Sequence, residues 1–256
     1  MLFDCFTERQ LIRQGFVVCM VCCLWNMIGD LIYAPLYASG REILSPQLPV
    51  YLHQTENSHE LLLLAQTSGW MYPIWGWLTA SQLYIGLKPS ESFWWSSAPC
   101  LAMAYAFCVI GGAQHSGWAF LTVLWQSEHR EACLQNSKIC QAYYEDSQIR
   151  IWKHFLMGDL PALWLFASSA WVFVSVIVNQ SKGISFPLWF NLCNPLATQV
   201  WVMGLTYFLD PPVAGLVGGP FGTWMILTTN LGCAYCLWNH GEDDDNTQSS
   251  KKKKRN

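Results

Sequence analysis

The sequence predicts an all-α membrane protein, a polytopic bundle of about six transmembrane helices. Of its 256 residues, 52% are hydrophobic and only 12% are charged, whereas a soluble domain has about 25% charged residues. Aromatic residues reach 15%, and so apolar a surface aggregates in water unless lipid covers it. The net charge of −3 gives no reason to expect nucleic acid as a partner.

Six stretches are long and apolar enough to cross the hydrocarbon core, which takes about 20 residues of helix. These spans are 14–37, 61–87, 98–126, 154–178, 186–209 and 213–238. Prolines inside them, where kinks are expected, are Pro73, Pro161, Pro195 and Pro220. The chain therefore divides into a transmembrane domain, 1–240, and a tail, 241–256, which lacks apolar residues and is predicted to be disordered.

The orientation follows from the positive charges, because loops rich in Lys and Arg stay in the cytosol. With six spans both termini share one side, which carries nine Lys and Arg residues against five on the other. Both termini are therefore expected in the cytosol. The final residues 253–256, Lys-Lys-Arg-Asn, resemble the dilysine signal that retrieves membrane proteins to the endoplasmic reticulum. A plain polybasic tail near anionic lipid is the alternative interpretation.

The cysteines do not predict a disulfide scaffold. Most of the eleven lie in apolar runs, where cysteine behaves as a small buried hydrophobic residue. Cys133 and Cys140 differ because they share one polar loop. A disulfide between them is expected only if that loop faces an oxidising compartment.

A short sequence motif occurs in both the first and the fourth predicted span and is called the echo below. Residues 27–31 read Met-Ile-Gly-Asp-Leu, and residues 156–160 read Leu-Met-Gly-Asp-Leu. Two halves of three helices each would run in opposite directions, as in membrane folds built from a 3+3 inverted repeat. Coincidence is the alternative, because the shared tripeptide is short.

Three ionisable side chains lie inside predicted spans, namely Asp30, His115 and Asp159. An Asp at the centre of a span costs roughly 2.5–3.5 kcal/mol on insertion, so such residues usually pair, line a cavity or work. On the predicted topology all three lie in the lumenal half of the bilayer and are expected to face one cavity. Each also has a structural interpretation, as a hydrogen-bonded, ion-paired or packing residue.

Helical spacing supplies the neighbours of these groups. Steps of three and four residues place one polar stripe on the first span, which is expected to face the bundle interior; it comprises Cys19, Cys23, Asn26, Asp30, Tyr33 and Tyr37. The sequence nominates Asn26, Tyr33 and Trp118 as substrate-binding residues. Other amides, which are expected to bond one helix to another, are Gln114, Asn191, Asn194, Gln199 and Asn230.

The residue types favour acid-initiated chemistry. An apolar pocket favours the protonated form of a carboxyl group, which can then act as a general acid. Aromatic ring faces stabilise cations by about 0.5–2 kcal/mol each, and aromatic residues in or near these spans are Trp25, Tyr33, Trp70, Tyr72, Trp75, Trp77, Trp118 and Trp164. Interfacial anchoring is the alternative role for such rings. Motifs for metalloproteases, serine hydrolases, P-loops and dinucleotide sites are missing, so no metal or redox cofactor is expected.

The length, the helix number, the aromatic content and the intramembrane acids resemble the small polytopic terpene cyclases of fungal meroterpenoid pathways. The resemblance implies an enzyme that protonates an olefin or epoxide with an intramembrane carboxyl group. The expected function is therefore cyclisation or isomerisation of a lipophilic isoprenoid, with Asp30 or Asp159 donating the proton and His115, or a water that it holds, accepting one. Two alternatives stay open, a proton- or cation-coupled transporter and a non-enzymatic membrane scaffold.

Overall fold

The structure is a computed structural model that describes residues 7–33, 36–44, 58–87 and 186–239, with isolated positions between 135 and 146. Helices make up the secondary structure of these ranges, and no strand occurs in them. The predicted spans 98–126 and 154–178 lie outside the described residues, as do Cys133, Cys140 and the tail. The all-helical fold class is confirmed for the part of the chain that the structure describes.

The first helix, α1, runs from Glu8 to Tyr33. It begins at a capping box, in which the Thr7 hydroxyl accepts from the Gln10 N–H and the Gln10 side chain accepts from the Thr7 N–H. It ends before Pro35, which disfavours helical backbone at the residue that precedes it. With a mean hydropathy of 1.9, the segment Glu8–Ile32 is long and apolar enough to cross a membrane.

The other described spans are broken in two. The remaining elements are α2 (Gly40–Leu44), α3 (His59–Ser68), α4 (Met71–Leu87), a 3-10 helix (Leu188–Cys193), α5 (Pro195–Tyr207), α6 (Val213–Gly218) and α7 (Phe221–Leu237). Each break lies within three residues of a predicted kink, at Pro73, Pro195 or Pro220. Proline removes a backbone donor and clashes with the preceding turn, which favours an interruption of the helix at these positions.

The long helices pack in alternating directions. Near its beginning, α1 meets the end of α7, where the Arg13 guanidinium donates to the Trp238 carbonyl at 3.1 Å. At the opposite end, the Gly40 N–H donates to the Leu209 carbonyl at 3.0 Å. Any side chain at position 40 would overlap the Thr206 carbonyl, so glycine is required for this approach of α2 to α5.

Polar side chains of helix α7 bond to several segments of the described part, among them α4, α5 and the 3-10 helix. The Thr79 hydroxyl of α4 donates to Asn230 Oδ1 at 3.0 Å. The Thr198 hydroxyl of α5 lies 2.8 Å from that of Thr228, and Thr229 donates to the Cys193 carbonyl. The helix-to-helix bond expected of Asn230 is therefore confirmed. By contrast, Asn191 donates within its own 3-10 helix, to the Leu188 carbonyl.

The two faces of α1 differ as the polar stripe predicts. Cys19, Cys23 and Asn26 are buried against α4 and α7. The opposite face exposes a run of apolar side chains, namely Val17, Val18, Val21, Leu24, Trp25 and Ile28. The prediction for Tyr37 is wrong: α1 ends four residues earlier, so helical spacing no longer applies, and Tyr37 is 54% exposed.

Candidate functional site

Asp30 lies partly buried in the last turns of α1, where it faces α7. The Thr223 hydroxyl donates to Asp30 Oδ2 at 2.6 Å, a length typical of a hydroxyl bonded to a carboxylate. Thr223 itself is fully buried. The acid is thus fixed by a helix that is 193 residues away in the sequence.

Asn26 orients this bond from one turn earlier on α1. Its amide Nδ2 donates to Thr223 Oγ1 at 3.0 Å, and the side chain is completely buried. A hydroxyl that accepts from an amide has its single hydrogen left to donate elsewhere. The two hydrogen bonds therefore run in one direction, from Asn26 through Thr223 to the carboxyl group of Asp30. This chain of bonds is called the relay below.

One aromatic residue of α4 lies next to the acid, and a second one packs near it. The Tyr72 hydroxyl lies beside the side chains of Asn26 and Thr223 and within electrostatic reach of Asp30. The ring of Trp75 is fully buried, and its centroid lies 6.1 Å from that of Tyr72. The carboxyl group consequently has hydroxyl and amide groups on one side and aromatic surface close by.

The beginnings of two helices converge on this carboxyl group. Tyr72 is the second residue of α4, and Thr223 is the third residue of α7. The amino end of a helix carries a partial positive charge that stabilises a nearby anion by about 0.3–1 kcal/mol. The breaks before α4 and α7 thus place two helix amino ends beside Asp30. A continuous helix would have no amino end at this level.

Gly29 brings α3 against α1 directly next to the acid. A Cβ atom at this position would meet the Ser68 Cβ atom at 2.7 Å and would also overlap Ser68 Oγ. Ser68 is buried and donates to the Ala65 carbonyl at 2.6 Å. The Gly-Asp sequence of the echo therefore has a physical reason in α1: the glycine allows close packing at the level where the aspartate turns inward.

The structure brings together two of the six nominated site residues, Asn26 and Asp30. Tyr33 is the last residue of α1, and its side chain lies outside the description. The remaining nominations, His115, Trp118 and Asp159, also lie outside the described residues. Their predicted meeting with Asp30 stays a prediction.

Three aromatic residues of the first two predicted spans lie at the surface of the described part. Trp25, Trp70 and Trp77 are exposed, Trp70 by 62%. Trp25 lies on the outer stripe of α1, and Trp70 lies in the turn between α3 and α4. Among the aromatic residues whose side chains the structure describes, Tyr72 lies within electrostatic reach of Asp30, and Trp75 lies near Tyr72.

The sequence did not nominate Thr223, and it named Tyr72 only as one aromatic residue among many. A threonine in an apolar run gives little signal, because its hydroxyl can bond to its own helix backbone. One signal was present in the sequence. Thr223 follows Pro220 by three residues, which places it in the first turn of a new helix. Backbone N–H groups of a first turn have no partner within the helix and are free to bind other groups.

No group of three or more His, Cys, Asp or Glu side chains in the described ranges could hold a metal ion. No disulfide joins the cysteines of the described ranges, and those of α1 are buried. Comparison of the chain with protein-family models, curated proteins and solved structures finds no match.

Proposed function

We propose that the chain is a six-span membrane enzyme that cyclises or isomerises a lipophilic isoprenoid, with Asp30 as the proton donor. The observation that carries the proposal is the directed relay from Asn26 through Thr223 to Asp30. A partly buried carboxyl group next to an aromatic side chain suits proton transfer to an apolar substrate.

The relay fixes which oxygen would act. In a protonated carboxyl group the carbonyl oxygen is the stronger acceptor, so donation from Thr223 to Oδ2 favours the proton on Oδ1. Transfer of that proton to an olefin carbon or an epoxide oxygen creates a carbocation. Ring closure uses the π electrons of a second double bond, and loss of a proton from a neighbouring carbon ends the reaction. Substrate and product are then isomers, and Asp30 must regain one proton per turnover.

Tyr72 and Trp75 support the later steps. Aromatic faces stabilise a cation by about 0.5–2 kcal/mol, and both rings lie on the α4 side of the acid. His115, or a water that it holds, is the proposed acceptor of the final proton, and Asp159 is the second candidate acid. A substrate made of isoprene units would reach these groups from the lipid.

The arrangement of the described helices supports the proposed topology. Residues 38–60 and 209–212 are predicted to connect spans on one side of the six-span arrangement, and the Gly40 to Leu209 bond joins these two segments. Arg13 and Trp238 meet at the opposite end, where both termini belong. Cytosolic termini and residence in the endoplasmic reticulum remain part of the proposal.

The test uses purified protein in nanodiscs with prenylated aromatic compounds and their terminal epoxides. The wild type should convert one of them to a product of unchanged mass, and Asp30→Asn should lower turnover about 100-fold or more. Asp210→Asn is the matched control, because Asp210 is an exposed acid at the end of the bundle, and it should keep full turnover. Full turnover by Asp30→Asn would remove Asp30 from the mechanism.

The broken helices favour a second candidate, a transporter coupled to protons or cations. Transporter sites often lie where discontinuous helices meet in the membrane, and α4 and α7 both begin beside Asp30. Proteoliposomes with a proton gradient separate the two functions. A transporter accumulates unchanged solute and loses this uptake in Asp30→Asn, whereas the proposed enzyme forms an isomer with or without the gradient.

A further inference from the structure

We propose that protons reach Asp30 by a route of water molecules held between α1, α4 and α7, which enters at the end of the bundle where Arg13 binds Trp238. The inference rests on the proposed function only in that Asp30 must be reprotonated after each turnover. A transporter that uses Asp30 would need the same supply.

Three fully buried side chains along this interface each keep one polar atom without a hydrogen-bond partner in the described part of the chain. These atoms are Asn26 Oδ1, Trp75 Nε1 and Gln82 Oε1. The Tyr72 hydroxyl lies beside the Asn26 amide but outside bonding geometry for Oδ1. Buried polar atoms are almost always satisfied, by protein or by ordered water. Water has the required chemistry, because it donates to the two carbonyl oxygens and accepts from the indole N–H.

Two of the three atoms lie on one face of α4, in a line of polar side chains whose first member, Tyr72, lies beside Asn26. On α4, residues Tyr72, Trp75, Thr79 and Gln82 follow one another at steps of three and four, so they share a face. From Tyr72 to Gln82 the helix rises about 15 Å. The line begins at the level of Asp30 and ends where Gln82 Nε2 donates to the Ile12 carbonyl at 3.4 Å, one residue from Arg13.

Thr79 occupies the middle of the line and has the chemistry of a relay. Its hydroxyl has two acceptors in reach, the Trp75 carbonyl at 2.8 Å and Asn230 Oδ1 at 3.0 Å, but only one hydrogen. The thiol of Cys19 lies beside the same hydroxyl. A hydroxyl that can turn between partners can receive a proton from one water and release another. Amide and indole groups hold waters in place but do not carry protons themselves.

The titratable side chains that face Asp30 in the described ranges come from two helices. The ionisable side chains that face it from the described helices are Cys23 on α1 and Tyr72 on α4. Thr223 faces it from α7, and Ser68 packs against the neighbouring Gly29 from α3. Arg13 stands at the entrance, outside this set.

The experiment follows the infrared carboxyl band of Asp30 in nanodisc-embedded protein after a jump from alkaline to acidic buffer. Comparison with Asp30→Asn assigns the band. Thr79→Val and Gln82→Leu should each slow protonation about tenfold, the factor that corresponds to about 1.4 kcal/mol. Thr79→Ser keeps a hydroxyl and should react at the wild-type rate. Ser81→Ala is the matched control, because Ser81 donates only to its own helix, at the Trp77 carbonyl.

Equal rates in the wild type, Thr79→Val and Gln82→Leu would overturn the route, and so would equal slowing by Thr79→Ser and Thr79→Val. The thermal transition and the size-exclusion profile of each variant show that it is folded. The readout is independent of turnover. Slow protonation in Thr79→Val together with full turnover in Asp30→Asn would keep the route and reject Asp30 as the proton donor. Wild-type protonation in Thr79→Val together with lost turnover in Asp30→Asn would reject the route alone.

Discussion

Helix α7 makes two similar bonds between an asparagine and a threonine, and only one of them leads to an acid. Asn26 of α1 donates to Thr223, which passes its own hydrogen to Asp30. Asn230 lies two turns further along α7 and accepts from Thr79 of α4. The amide of Asn230 in turn donates to the Ile226 carbonyl. The second pair ends on backbone, whereas the first ends on a carboxyl group.

The difference separates the role of holding helices together from the role of holding an acid. Hydrogen bonds between membrane helices contribute about 0.6 kcal/mol on average, which is enough for assembly but gives no reason to bury a carboxyl group. Asp30 adds an insertion cost of roughly 2.5–3.5 kcal/mol. The bond from Thr223 offsets part of this cost, and the proposed proton transfer would give a reason to keep the acid.

The largest expected effect comes from breaking the pair of Asn26 and Thr223, which leads to Asp30 and is called the acid-bearing pair below. Thr223→Val would leave both Asp30 Oδ2 and Asn26 Nδ2 without this partner and should lower the free energy of unfolding by about 3 kcal/mol. Denaturation in mixed micelles measures it. Thr223→Ser retains the hydroxyl and serves as the control. If valine and serine give the same stability, the hydroxyl does not hold the acid.

The close packing beside the acid should have the next largest effect. Gly29→Ala forces its Cβ into Ser68 and should destabilise the bundle by about 2 kcal/mol, the usual cost of overpacking. Adding Ser68→Gly removes the obstructing side chain and should restore most of the loss in a double-mutant cycle. Additive effects of the two changes would show that the residues do not touch.

A smaller effect is expected at the threonine pair of α5 and α7. Thr198→Val removes the 2.8 Å contact with Thr228, but the Thr228 hydroxyl keeps the Met225 carbonyl as acceptor. The expected cost is about 0.6 kcal/mol, measured by the same denaturation. A loss as large as that of Thr223→Val would remove the distinction between assembling pairs and the acid-bearing pair.

The smallest effect concerns an exposed acid, Glu42, for contrast with Asp30. The Ser39 N–H and hydroxyl donate to its carboxylate and lower its pKa below the ordinary value of 4.5. A carboxyl group whose pKa is lowered on folding stabilises the folded protein at pH values above 4.5. This contribution is lost as the pH falls through the pKa of the group in the folded protein. Glu42→Gln should therefore be slightly less stable than the wild type at neutral pH and equal to it in strong acid. A difference that grows toward acid pH would contradict the assignment.

Much of the described fold could be predicted from the sequence because it depends on local patterns. The run of apolar residues predicts α1, the polar stripe predicts its buried face, and the positions of Pro73, Pro195 and Pro220 predict where spans are interrupted. That these interruptions are complete breaks was not predicted. The outcome depends on whether neighbouring helices satisfy the freed backbone groups, which the sequence does not reveal.

The candidate site could be predicted only in part. Asp30 and Asn26 share one helix face, so spacing alone brings them together. Thr223 and Tyr72 come from helices far along the chain, and the choice of partner depends on the register between helices. The sequence could not tell which aromatic rings face the interior, because aromatic residues occur both in cavities and at membrane interfaces.

The most direct test of Asp30 as the proton donor compares the turnover of Asp30→Asn with that of Asp30→Glu at equal concentrations of folded protein. Asparagine keeps the size and the acceptor oxygen but carries no acidic proton, so turnover should fall about 100-fold or more. Glutamate restores the acid one methylene further out and should recover measurable turnover. Wild-type turnover in Asp30→Asn, or equal loss in both variants, would contradict the account.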